Sequence, residues 1–283
     1  MPEPIVFYDI PGNAAKDKAW SPNTWKTRYV DLRLHRHIQK SSDHIALSRF
    51  CLNIKGIPYR TVWVEYPDIV ALSKQIGVGP TSTDPDGSPH YTLPAIYDPN
   101  TRTAVAESFA IARYLDRTFP SSGPTLIPKE TDALHMAFVQ AFRDAFMNDA
   151  VQLVFLATCA QLNSRSEAYF RRTREAWLKA KLEDFAPAGS EKRATHWEGV
   201  QKGLHTVKEW LEADGTEKLH FMGDKVSFAD VFAASHLLWM KLVLGPESEE
   251  WMDIMKWDGG FWARFMAEFD KWETVDVGTA ADL

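Results

Sequence analysis

The chain has 283 residues, a net charge of −6, and 45% hydrophobic against 25% charged residues; this balance suits a folded chain of one large or two modest domains and argues against disorder. The negative charge supplies no diffuse positive field for a phosphate backbone, and no dense Lys/Arg stripe makes up for it, so nucleic-acid binding is not expected. The two cysteines, Cys51 and Cys159, are far apart and outside any CxxC pair, which fits a reducing compartment rather than a disulfide framework.

The opening Met-Pro-Glu-Pro has neither a basic nor an apolar region, so no signal peptide is expected. No apolar run reaches the roughly 18 residues of a membrane helix, and the expected location is the cytoplasm. Ile5-Val6-Phe7-Tyr8 reads as a short buried strand closed by Asp9 and Pro11-Gly12. After a polar loop to Trp20, Ser21-Pro22 reads as a helix start, with Ser as cap and Pro at the first helical position. Tyr59 to Val64 is a β-rich run. Pro67 to Ile76 reads as a helix ending at Gly77, and Gly79 to Pro89 as a loop. Pro94 to Asp98 and Thr103 to Ala106 form a predicted hairpin across Pro99-Asn100. Ser108 then opens an amphipathic helix with Ile111, Tyr114 and Leu115 on one face. The order β-α-β-α-β-β-α combines a parallel βαβ unit with an antiparallel hairpin.

Pro120 to Pro128 reads as a linker. Beyond it the pattern is helical with no strand: about Thr131–Ala160, Ser166–Phe185, Lys192–Ala213, Ser227–Leu244 and Gly260–Thr274. Ser227-Phe-Ala-Asp230 is a capping box, structural in role. The 11 Trp imply large aromatic contacts, in cores or in an apolar ligand site.

Three places could carry chemistry. Ser21 is either a plain N-cap or a hydroxyl that, with free helix amides, stabilises an anion such as a bound thiolate. Lowering a thiol pKa from about 8.5 to about 6.5 takes roughly 2.7 kcal/mol, the order of one charge-assisted hydrogen bond plus a helix end. Leu93-Pro94, directly before a strand, presents a backbone amide and carbonyl to a ligand if its peptide is cis. Glu107-Ser108 is either a cap or a clamp for an amino acid, Glu107 taking an ammonium and Ser108 with its helix amides a carboxylate.

In this order and spacing, the strand, Ser21, Leu93-Pro94 and Glu107-Ser108 resemble the glutathione transferase superfamily. Phe7-Tyr-Asp-Ile-Pro11, Trp20-Ser-Pro-Asn-Thr-Trp-Lys-Thr-Arg28, Asn53-Ile-Lys-Gly-Ile-Pro-Tyr59 and Val62-Trp-Val-Glu-Tyr-Pro-Asp-Ile69 look like the fungal class A enzymes, relatives of the bacterial lignin β-etherases. The resemblance implies a thioredoxin-like α/β domain over 1–119, a linker at 120–130 and an all-α domain over 131–283. It implies that Ser21 activates the glutathione sulfur with Asn23 close by. The Leu93 backbone, before cis-Pro94, would pair with the cysteinyl part, and Glu107 and Ser108 would hold the γ-glutamyl end. Glutathione is thus the implied co-substrate, no metal is required, and a hydrophobic or phenolic molecule is the implied second ligand. A homodimer is implied too. The alternatives are a non-catalytic ligandin for apolar phenolics and a dedicated tailoring enzyme of secondary metabolism.

Between Arg28 and Phe50 the chain departs from that family. Thr27-Arg28-Tyr29-Val30 is echoed by Ser48-Arg49-Phe50-Cys51, and His35, His37 and His44 lie between. A metal site on those histidines is one reading; a translated intron is the preferred one. Arg28, Tyr29 and Val30 can encode a GTATGT donor, Ser42-Asp43 a CTGAC branch signal, and Arg49 an AG acceptor. Removing Tyr29 to Arg49 leaves Trp-Lys-Thr-Arg-Phe-Cys-Leu. As a real insertion the segment is expected to loop out of the first helix, and its deletion to raise thermal stability.

Overall fold

The computed structural model describes residues 2–13, 18–20, 45–84 and 87–282. It forms two compact units, one of Met1–Gly123, Leu162–Phe170 and Val275–Leu283, the other of Pro124–Gln161 and Arg171–Thr274.

The first unit is the expected thioredoxin-like layering. Strand β1 (Ile5–Asp9) is buried at all five positions, as a strand covered on both faces must be. Helix α1 (Ile45–Lys55) crosses to β2 (Tyr59–Trp63), which lies parallel to β1. A 3-10 turn at Tyr66–Asp68 leads into α2 (Ile69–Gln75). The predicted loop after it holds a small hairpin, β3 (Ser82–Thr83) with β4 (Pro89–His90). Strands β5 (Ala95–Asp98) and β6 (Thr103–Ala106) form the expected hairpin and add antiparallel to β1. Helix α3 (Ser108–Thr118) follows, with Ile111 and Leu115 fully buried. It meets α1 through the buried pair Lys55–Asp116 at 3.0 Å.

Two features of this unit depart from expectation. The predicted insertion does not all loop out: its last five residues, Ile45 to Arg49, are the first turn of α1. Leu47 and Ser48 are fully buried there and Arg49 nearly so. A deletion of Tyr29 to Arg49 would set Lys26 in the place of the buried Leu47, an exchange that opposes the expected gain in stability. The second departure is a strand after the helical half. β7 (Thr279–Ala280) lies parallel to β2 and completes the sheet order β6-β5-β1-β2-β7.

The second unit is all-helical. Helix α4 (Asp132–Phe142) passes through a π-helical segment, Arg143–Met147, into α5 (Asn148–Ala160). Helix α6 (Ser164–Leu178) starts in the first unit and ends in the second. Helices α7 (Glu191–Leu211), α8 (Phe228–Leu244) and α9 (Glu249–Ala267) complete it. A break at Trp257–Gly260, where Asp258, Gly259 and Gly260 are all left-handed, divides α9 into two helices; the second is the helix predicted from Gly260, ending at Ala267 rather than Thr274, and the first, from Glu249, lies outside the predicted helices. Phe142, Phe146, Phe155, Phe232, Trp239 and Trp262 are buried in the core, so packing accounts for much of the aromatic content. His236 sits among Phe142 and Phe232, where burial pushes its pKa down to about 3 and keeps it neutral. The capping box forms as read: the buried Asp230 carboxylate accepts from the Ser227 amide and hydroxyl, each at 2.7 Å.

Gly203 on α7 lies against the π-helical segment, and a Cβ there would overlap the Ala145 carbonyl. Since that neighbour is backbone, it cannot rotate away. Gly203→Ala is expected to lower unfolding stability by about 1–3 kcal/mol, measured as a lower urea midpoint at an unchanged slope.

Candidate active site

The sheet register gathers the predicted residues at one end. Tyr8 stands opposite Ala95, so Pro94 and Leu93 run back alongside Asp9 and Ile10, where β1 ends. Ala95 in turn stands opposite Ala106, which brings Glu107 and Ser108 to the same end. The Glu107 amide donates to the Pro94 carbonyl at 3.4 Å, and the Leu93-Pro94 peptide is cis. β1 and β2 are parallel and both finish here, and β1 meets an antiparallel neighbour on its other side. In open α/β sheets, ligands bind outside the carboxyl ends of the parallel strands.

Each side chain is fixed by its element. Leu93 is fully buried, which leaves its backbone as the group it can offer. Ser108 is fully buried at the first position of α3, and Glu107 is that helix's N-cap. The Glu107 carbonyl accepts from the Ile111 amide at 2.7 Å, while the amides of the first turn point out of the helix end. Glu107 has φ 82° and ψ 124°, a conformation that costs a non-glycine residue about 1–3 kcal/mol. Glu107 stands where β6 ends and α3 begins, and strain of this kind collects at functional sites.

Ser21 and Asn23 lie outside the described residues, as do His35, His37 and His44. What is described is the residue before Ser21. Trp20 is 1% exposed and packs on Gly12, where a Cβ would overlap the indole. Pro11 bridges to Ala19, and the Gly12 amide donates to the Lys18 carbonyl at 2.8 Å. The chain therefore returns to the end of β1 immediately before Ser21.

Sequence reasoning missed two features of this unit. One is a cleft of about 560 Å³ lined by Pro11, Asn13, Lys18, Trp63, Glu65 and Arg165 among others. It brings together segments 98 residues apart, since Asn163 donates to Glu65 at 2.8 Å, and no local pattern announces that. The other is Arg49. Its guanidinium bonds the Asp9 carboxylate at 2.8 Å and Asp276 at 3.2 Å, and lies 4.8 Å from the Phe7 ring centre. Burial works against its charge, but Asp9 and the Tyr59 hydroxyl outweigh burial and hold its pKa above the usual value.

Comparison with known proteins agrees with this geometry. Residues 48–118 match the family model for the glutathione S-transferase N-terminal domain, and 133–272 that for the C-terminal domain. The chain is 28% identical over 271 residues to the glutathione S-transferase-like protein ustS of Aspergillus flavus, covering 91% of this chain and 86% of that one. Among solved structures it is 51% identical to the glutathione S-transferase CsGST63524 of Ceriporiopsis subvermispora in complex with glutathione, with a TM-score of 0.87 over 97% of this chain and 99% of that one. It is 42% identical to the glutathione transferase GSTFuA3 from Phanerochaete chrysosporium, with a TM-score of 0.84 over 98% and 100% of the two chains. With both domain models matched and full-length relatives on either measure, the chain belongs to the glutathione S-transferase family.

Proposed function

We propose that this protein activates the thiol of glutathione for attack on a hydrophobic or aromatic electrophile, by conjugation or ether cleavage. The observation that carries the proposal is the convergence of Leu93, cis-Pro94, Glu107 and Ser108 at the end of β1, with Glu107 held in a strained conformation. Glu107 takes the ammonium of the γ-glutamyl end; Ser108 and the first amides of α3 take its carboxylate. The Leu93 backbone pairs with the cysteinyl part. Ser21, with Asn23 beside it, donates to the sulfur and stabilises the thiolate. An extended tripeptide spans roughly 10 Å, and Lys18 in the neighbouring cleft supplies a cation for its second carboxylate. The reaction requires no metal. The protein works as a homodimer in the cytoplasm; among the described residues no helix is long and apolar enough to cross a membrane. That a 51% identical relative was solved with glutathione bound supports the choice of co-substrate.

Turnover of a chloronitrobenzene or of phenylethyl isothiocyanate with glutathione tests the enzyme reading. Ser108→Ala and Glu107→Gln are each expected to weaken glutathione binding by roughly tenfold or more, the worth of one charge-assisted hydrogen bond, measured by calorimetry. No turnover, together with micromolar binding of an apolar fluorescent dye, would assign the protein as a ligandin. Turnover confined to one metabolite would assign it as a tailoring enzyme.

A further inference from the structure

We infer that the β3–β4 hairpin sets the position of the Leu93 backbone, with Thr81 and Thr92 as its positioning residues. The inference rests on the reading that this backbone pairs with the cysteinyl part of glutathione.

A backbone amide offered to a ligand cannot also anchor its own segment. The ladder of β5 begins at Ala95, opposite Tyr8 on one side and Ala106 on the other, so it fixes the chain after Leu93 and not before it. Pro94 has no amide hydrogen with which to add a bond. The buried Leu93 side chain anchors the residue by packing, which is less directional than a hydrogen bond. The segment leading into Leu93 is held by the hairpin. β3 and β4 pair Ser82 with His90 and Thr83 with Pro89. The Thr81 amide donates to the His90 carbonyl at 2.8 Å, and the Asp84 carboxylate meets the His90 ring at 2.6 Å.

Thr92, the residue before Leu93, carries this hold to the site. It is 3% exposed, and its hydroxyl lies 3.0 Å from that of Thr81. The Thr81 hydroxyl is also 3.2 Å from the His90 carbonyl. It has one proton; donated to that carbonyl, it leaves the oxygen to accept from Thr92. The two hydroxyls thus form a chain that ends on β4. Valine would fill the space of Thr92 with nearly the same shape, so what threonine adds is this bond. A hydroxyl buried without a bond costs stability, and a hairpin that only shortened the loop would not need one here.

Thr92→Val and Thr92→Ser in the full chain separate positioning from packing. Valine keeps the shape and loses the hydroxyl; serine keeps the hydroxyl and loses the methyl. Thr92→Val is expected to weaken glutathione binding about three- to tenfold, the worth of one hydrogen bond, as read by calorimetry. Thr92→Ser is expected to bind like the wild type, even at a lower melting temperature. The tripeptide γ-glutamyl-alanyl-glycine, which lacks the sulfur, should lose affinity for Thr92→Val by the same factor, because the contact at stake is to the peptide frame. Thr81→Val, which breaks the same chain of hydroxyls from the half-buried side, carries the test if Thr92→Val does not fold. Unchanged affinity in the folded valine variant overturns the inference and leaves Thr92 a structural residue. A larger loss in Thr92→Ser than in Thr92→Val, or a loss confined to glutathione, overturns it as well. Failure of the wild type to bind glutathione sinks the proposed function instead.

Discussion

Replacing Ser21 by alanine is expected to raise the pKa of bound glutathione by one to two units and to cut turnover at pH 6.5 by roughly 10- to 100-fold. A hydrogen bond to a charged partner contributes about 1.5–3 kcal/mol, and about 1.4 kcal/mol corresponds to one pKa unit. The sign follows from which form the hydroxyl binds. It donates to the thiolate, so it lowers the thiol pKa; its loss matters most at pH values below the variant's pKa and above the wild type's. The deficit should therefore shrink as pH rises and nearly close around pH 9. A loss of equal size at every pH would mean that Ser21 orients the peptide without acidifying its sulfur. No loss at any pH would remove Ser21 from the mechanism, while the anchoring of the γ-glutamyl end by Glu107 and Ser108 would still stand.

Local patterns in the sequence carried the parts of this site that local sequence determines. Ile5 to Tyr8 is a short continuous apolar run, and the hairpin to Ala106 and the helix from Ser108 follow from turn residues and an apolar helix face. Because β5 and β6 are joined by a tight turn, the register that brings Pro94 beside Glu107 is nearly set by counting. What escaped was long-range. β7 is two residues long, and its strand character comes from Trp63 and Val62, more than 200 positions earlier; Thr279-Ala280 has no propensity signal of its own. Gly259-Gly260 reads as the boundary of a helix and is one; what escaped is the helix before it, from Glu249. Arg49 was hidden by its neighbours: Ser48-Arg49-Phe50-Cys51 looks like the far edge of an interruption, and only the Asp9 and Asp276 carboxylates give it a role.

That role makes the interruption itself testable through a crossed pair of substitutions. In the full chain Arg49→Met strands Asp9, which is 2% exposed, without its cation. Breaking a buried pair from one side costs about 3–5 kcal/mol, which should lower the unfolding temperature of the first unit by roughly 10 °C. Arg28→Met should have little effect there, since Arg49 already fills the clamp. Deleting Tyr29 to Arg49 joins Arg28 directly to Phe50, in the seat that Arg49 leaves. In the shortened chain Arg28→Met is therefore expected to carry the whole penalty. The melting temperature of the bare deletion is a poorer judge, because it mixes the removal of a long insertion with the exchange of the buried Leu47 for Lys26; adding Lys26→Leu isolates the first effect. If Arg28→Met is silent in the shortened chain, the seat is not refilled, and residues 45–49 are the native start of α1 rather than the end of an intron. Transcripts that uniformly retain codons 29–49 would establish the same point independently. The two experiments address different levels, one asking whether the shorter chain can fold around the clamp and the other whether the cell makes it.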